Sequence, residues 1–228
     1  MSLSPDSTMY DRIINLDKPV GITSARAVAH VKRLLPRGVK VGHAGTLDPF
    51  ATGVLLLLLG KATKRCEELM GATKVYETIV KLGATTPTLD PESQETRCLV
   101  EQFPTRDAIE GILSNMTGTV LQRPPIFSAM KVGGRRAYKL ARQGKPVELP
   151  ARPVRIDQLE ILQYEWPMLS LRIECGRGTY IRSIARDLGA ALSTGGYLLA
   201  LRRTRVGEFN VRDAVSLQML KSDATTDK

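Results

Sequence analysis

The chain is poor in aromatic residues, in histidine and in acid. Phe, Trp and Tyr make up 5% of its 228 residues, with a single Trp, so a core must be built from aliphatic side chains. His30 and His43 are the only histidines. Cys66, Cys98 and Cys175 are far apart, with no CxxC pair. That combination argues against a zinc site, so no metal is expected, and three free thiols fit a reducing compartment. The longest apolar run, Val54–Leu59, is far too short to cross a bilayer. The N-terminal MSLSPDSTMYDR has no apolar segment and no cleavage-like pattern, so it does not read as a secretory signal. The expected location is the cytoplasm, with no membrane association.

The charge that is missing on the acidic side is present on the basic side. Lys and Arg number 33 against 23 Asp and Glu, a net +10. Such an excess points to a polyanionic partner, a nucleic acid or an anionic surface. Hydrophobic and charged fractions of 43% and 25% are those of an ordinary globular protein, and the length suits one large domain or two small ones.

The organising stretch is Gly42-His43-Ala44-Gly45-Thr46-Leu47-Asp48-Pro49-Phe50-Ala51-Thr52-Gly53, followed by Val54–Leu59. Its glycines and proline exclude a helix interior, and the apolar run reads as a buried strand. Asp48 is thereby fixed beside the core, where desolvation and a nearby Arg can set its reactivity. Gly60-Lys61-Ala62-Thr63-Lys64 is not a phosphate-binding loop: Leu55 stands where the first glycine is needed and Ala62 where Ser or Thr is needed. Residues 62–70 read as a short helix.

Upstream, Arg12–Asp17 alternates as a strand ending at Lys18-Pro19, and Thr23 or Ser24 can cap a helix carrying Val28, Val31 and Leu35. Downstream, Lys74–Leu82 alternates so that Tyr76 shares an inward face with Val80 and Leu82. Thr105 opens an amphipathic helix through Ile109, Ile112, Leu113 and Met116. Residues 122–145 carry Lys131, Arg135, Arg136, Lys139, Arg142 and Lys145 without an acid from Lys131 onward, with Phe127 and Tyr138 as aromatic faces. Clustered cations of this kind neutralise phosphates, and basic segments often order on RNA. Residues 153–162 and Met168–Cys175 read as strands. Thr179 is expected to cap a helix with Ile181, Ile184, Ala185, Leu188 and Leu192 on its apolar stripe. Arg182 falls in that helix's first turn, where the helix dipole disfavours a cation, which suggests an anionic partner.

Several of these stretches resemble the motifs of one family. GHAGTLDPFATGVLLLLLGKATK resembles the central motif of TruB-type tRNA pseudouridine synthases, and Asp17–Ser24 resembles the N-terminal one. Lys74–Glu77, Gly178–Ser183 and Leu201–Gly207 resemble further motifs, and Pro124–Gly144 resembles the insertion that closes over tRNA. The resemblance spans about residues 12–207. It implies an α+β fold, the pseudouridine synthase fold: a mixed, largely antiparallel sheet flanked by helices and loops, with a basic RNA-clamping insertion at 122–146. The catalytic domain is expected over 10–220, between flexible tails at 1–9 and 221–228, as a short or a truncated form without a C-terminal PUA domain.

The activity so implied is isomerisation of uridine 55 in the tRNA T loop to pseudouridine, without cofactor or metal. Asp48 is implied as the essential carboxylate, by attack at C1′, addition to C6 or removal of the 2′-arabino proton. Arg182 is implied to pair with Asp48, and Tyr76 to stack on the uracil. His43 is the candidate to fill the space of the flipped base. Lys18, Leu201, Lys131, Arg135, Arg136, Lys139 and Arg142 complete the expected substrate contacts. The expected partner is the T-arm stem-loop of tRNA, bound by a monomer without guide RNA. The alternative is a non-catalytic RNA-binding or tRNA-folding chaperone on the same scaffold.

Overall fold

A computed structural model describes residues 10–128, 130–132, 134–144 and 148–220. The expected tails at 1–9 and 221–228 lie outside the described residues. In chain order the elements are β1 (Ile13–Lys18), α1 (Ser24–Lys32), β2 (Val41–Ala44), β3 (Thr52–Leu59), α2 (Cys66–Gly71), β4 (Lys74–Leu82), β5 (Ala84–Thr85) and β6 (Thr96–Arg97). Then come α3 (Arg106–Asn115), β7 (Gly118–Gln122), β8 (Lys131–Val132), β9 (Arg135–Arg136), α4 (Ala137–Arg142), β10 (Arg152–Glu165), β11 (Met168–Cys175), α5 (Ile181–Ala191), β12 (Gly196–Val206) and β13 (Phe209–Asn210). The architecture is α+β. Strands β1, β2 and β3 pair antiparallel, as do β7, β10 and β11, while β12 runs parallel to β3.

The chain divides into two compact units, one up to Tyr76 and again from Leu201, the other from Glu77 to Ala200. The boundary falls inside β4 and inside β12, so each of these strands contributes residues to both. In the first unit the strand order is β1-β3-β12-β4, with β2 also on β3 and β13 on β12. Strand β3 is its centre. The six residues Val54–Leu59 alternate between two faces, and both faces are buried, as an uninterrupted apolar run requires. Val54, Leu56 and Leu58 pack with Ala44, Leu69 and Val206. Burying such side chains contributes about 1.5–3 kcal/mol each.

In the second unit the order is β12-β4-β11-β10-β7. Leu169, Leu171, Ile173 and Cys175 form one buried face of β11, as their period of two demands. The inward row of β4 expected from alternation is present: Thr78, Val80 and Leu82 are buried here, and Tyr76, which belongs to the first unit, is buried too. Helix α3 begins at its Thr105 cap, whose hydroxyl accepts from Ala108 N, and buries Ile109 and Leu113.

Two local expectations are corrected. Helix α1 is capped by Thr23, which accepts from Arg26 N, and ends at Lys32, so Leu35 lies beyond it; its buried residues are Ser24, Ala27 and Val31. Thr179 does not cap α5. Its hydroxyl donates to the Gly176 carbonyl at 3.2 Å, and the N-cap is Tyr180. No side chain caps the helix; Gln122 on β7 holds the N-cap residue instead, accepting from Tyr180 N at 2.8 Å and donating to Tyr180 O at 3.1 Å. One buried amide thus fixes the start of the helix that carries Arg182. Residues 60–65 form a 3₁₀ turn leading into α2.

Candidate active site

The first unit holds the loop that joins β2 to β3, residues 45–51, with Asp48 near its middle. Six of its backbone groups have a partner: the N–H groups of Leu47 and Ala51 and the carbonyls of Gly45, Leu47, Asp48 and Pro49. Ser24, buried in α1, accepts from Leu47 N at 2.9 Å and donates to Leu47 O at 3.1 Å. Ala51 N donates to Asp48 O at 3.2 Å, and Gly21 N to Pro49 O at 2.8 Å. Lys18 has no exposed surface, and its ammonium donates to Pro19 O (2.9 Å), Ile22 O (2.8 Å) and Pro49 O (3.3 Å). Arg203, also buried, donates from Nη2 to Gly45 O at 3.1 Å and from Nε to Val54 O at 2.7 Å. A peptide segment next to a core must satisfy its polar groups, and here side chains from β1, α1 and β12 meet Gly45 O, Leu47 N, Leu47 O and Pro49 O.

The glycines have a steric reason. Gly53 has φ +98°, and a Cβ there would lie 2.2 Å from the Arg203 carbonyl oxygen. Only glycine lets β3 approach β12 at this register, where Arg203 faces Gly53 across a parallel pair. Gly45 has φ +87°, with an Arg203 nitrogen 3.4 Å from where a Cβ would stand.

His43 faces Leu57 across the β2–β3 pair. Its Nδ1 is buried without a hydrogen-bond partner among the described residues. Burial, reinforced by the Arg203 charge, holds the imidazole below its ordinary 6.5, so it is neutral at pH 7. Tyr76 is buried on β4, and Leu201 is buried where β12 re-enters this unit. Thr204 on β12 donates to Val75 O at 3.3 Å, which fastens the stretch of β4 that bears Tyr76.

The second unit holds Arg182, buried in the first turn of α5. Its Nη1 donates to Asp90 Oδ2 at 3.1 Å and to Thr88 O at 2.9 Å, and its Nη2 to Phe127 O at 2.9 Å. Asp90 is 1% exposed and also accepts from Thr88 Oγ1 and from Glu92 N. The anionic partner expected for a first-turn cation therefore includes Asp90, which the sequence did not single out. In the insertion, β8 pairs with β9 and α4 follows. Arg135 is exposed; the side chains of Lys131, Arg136, Lys139 and Arg142 lie outside the described residues.

The structure thus brings Lys18, His43 and the Asp48 loop together in one unit, and places Arg182 with Asp90 in the other. Ser24, Arg203 and Asp90 were missed. Arg203 stood in the motif that yielded Leu201, and the signal for it was a pair of adjacent arginines inside an apolar strand. Among the described residues no cluster of three or more His, Cys, Asp or Glu could hold a metal ion. No described helix is long and apolar enough to cross a membrane.

Solved structures share this fold. The chain resembles the archaeal box H/ACA sRNP Nop10-Cbf5 complex at TM-score 0.69 and 28% identity, over 97% of its own length and 57% of that chain. It resembles a Cbf5-Nop10-Gar1 complex at TM-score 0.74 and 28% identity, over 100% and 62%. It therefore spans about three-fifths of the length of those chains. Residues 32–181 match the N-terminal domain of the TruB family pseudouridylate synthases, and residues 182–228 match the C-terminal domain of tRNA pseudouridylate synthase B. The chain belongs to the TruB family. Relatives named tRNA pseudouridine synthase B include one from Phocaeicola vulgatus, 44% identical over 90% of both chains. Another, from Mycobacterium tuberculosis, is 46% identical over 91% of this chain and 71% of the relative.

Proposed function

We propose that the chain is a tRNA pseudouridine synthase that isomerises uridine 55 of the T loop. The observation that carries this reading is the Asp48 loop, fixed by buried groups from three elements in a member of the TruB family. A carboxylate so held is pre-organised for a target brought to it, and nothing has to be ordered during the reaction.

The reaction breaks the C1′–N1 bond, turns the uracil and joins C1′ to C5. The C5 proton leaves and N1 gains one, so atoms balance without redox chemistry. Asp48 is the catalytic carboxylate. Arg182, held by Asp90, is assigned as its cationic partner, and such a cation favours the ionised form. Tyr76 stacks on the uracil, and neutral His43 occupies the space of the flipped base, a role in which an uncharged ring suits an apolar stack. The basic insertion closes on the T-arm phosphates. The protein acts in the cytoplasm as a monomer on tRNA alone, without guide RNA.

The test is release of tritium from tRNA transcripts labelled at uridine C5, using purified protein and no added RNA. Wild type releases label from the T loop and Asp48→Asn releases none above background, while both bind the transcript. If both bind and neither releases label, the protein is an RNA-binding chaperone on this scaffold and not an enzyme.

A further inference from the structure

Arg203 is a buried cation with an unusual set of partners. It is 1% exposed, and among the described residues it meets no carboxylate: its hydrogen bonds go to the carbonyls of Gly45 and Val54. A guanidinium taken out of water is costly unless a counter-ion meets it. Its neighbour Arg202 shows the ordinary arrangement, with Nη2 donating to Asp17 Oδ2 at 2.8 Å and Nη1 to Thr52 Oγ1 at 3.3 Å. Two adjacent arginines of one strand thus have opposite fates. Arg202 is answered by an acid, and Arg203 is spent on backbone.

The two carbonyls that Arg203 holds lie on either side of Asp48. Gly45 is the third residue before it, and Val54 is the third residue of β3, directly after Gly53. The planar guanidinium sets the separation of these two points in a way no point charge could. The close approach of Gly53 to the Arg203 backbone fixes the other side of the same joint. His43, on the strand that enters the loop, also lies within reach of the Arg203 charge.

We propose that Arg203 is a positioning residue for the reaction: its two-pronged guanidinium sets the span of the Asp48 loop and thereby the aim of the carboxylate. The proposal rests on the reading of Asp48 given above. Arg203 touches neither RNA nor the reacting atoms. Its loss therefore acts on the rate of the chemical step and not on binding.

Arg203→Lys keeps the charge and removes the fork; Arg203→Ala removes both. Each variant is compared with wild type for thermal midpoint, affinity for T-arm RNA and single-turnover tritium release. For Arg203→Lys the release rate falls about a hundredfold, the scale of a misplacement near 1 Å. Its RNA affinity stays within about twofold, the pattern of an interaction realised only in the transition state. Ethylguanidinium restores part of the rate to Arg203→Ala, and equal sodium chloride does not. An Arg203→Lys enzyme as fast as wild type overturns the proposal, as does a rate loss in both variants that merely follows their folded fraction. Should Arg203→Ala not fold, Arg203→Lys alone decides. A wild type without activity removes the function itself and this inference with it, whereas an active wild type with an equally active Arg203→Lys removes the inference alone.

Discussion

Each unit of the molecule buries an arginine, and the two are handled differently. Arg182 in the second unit is met by the carboxylate of Asp90 as well as by the carbonyls of Thr88 and Phe127. Arg203 in the first is met by carbonyls alone. A carboxylate cancels charge, so Asp90 makes the burial of Arg182 tolerable and fixes where its guanidinium points. Carbonyl dipoles solvate a cation without cancelling it, so Arg203 keeps its field and acts on what lies near, including His43. The second unit uses a salt bridge to hold a side chain, and the first uses a charge to hold a loop.

The largest effect is expected where the ion pair is broken from one side. Asp90→Ala leaves Arg182 buried without that acid and should lower stability by about 3–5 kcal/mol, read from urea unfolding. Adding Arg182→Met to Asp90→Ala should return a large part of the loss, because the buried charge that Asp90 balanced goes too. A double variant no more stable than Asp90→Ala would show that the acid does not act through the arginine. In the first unit the corresponding damage is smaller. Ser24→Ala strips the partner from both Leu47 N and Leu47 O, and about 1–3 kcal/mol should be lost. Tritium release should fall further than the folded fraction, since Leu47 adjoins Asp48. Equal falls would make Ser24 a packing residue only.

The smallest effect is a pH dependence that separates the buried imidazole from the paired carboxylates. His43 is held below 6.5 in the folded protein, so the unfolded chain binds its proton first. The stability that His43 contributes is complete above about pH 6.5 and is lost as pH falls from there through its folded value. Glu68 and Glu95 are held below 4.5 by hydrogen bonds from Arg65 and Lys81, so their losses begin only in a more acid window. His43→Gln should therefore flatten the stability profile just below about pH 6.5 and leave the part set by the carboxylates unchanged. An unchanged profile in that upper window would show that the imidazole is not held neutral by its site.

Local pattern made several features legible. The uninterrupted run Val54–Leu59 announced a strand buried on both faces, and alternation put Tyr76 on the inward row of β4. The Asp48 loop was readable as a loop from its glycines and proline, and the family motifs were contiguous in the chain. What could not be read were bonds between distant residues. Arg203 meets Val54 across 149 positions and Gly45 across 158. Arg182 meets Asp90 across 92. Thr179 has the type and spacing of a helix cap, but α5 has no side-chain cap, and its N-cap residue Tyr180 is held by Gln122, 58 positions away.

By itself the sequence determined the elements and the chemistry at hand: a basic chain, an aliphatic core, a carboxylate in a glycine-punctuated loop. Only the tertiary structure decided which buried charge is cancelled and which is kept. The reason is physical. Periodicity and turn chemistry act between neighbours along the chain, whereas the partner of a buried cation is whatever group the fold brings within about 3 Å of it, and no local rule specifies that.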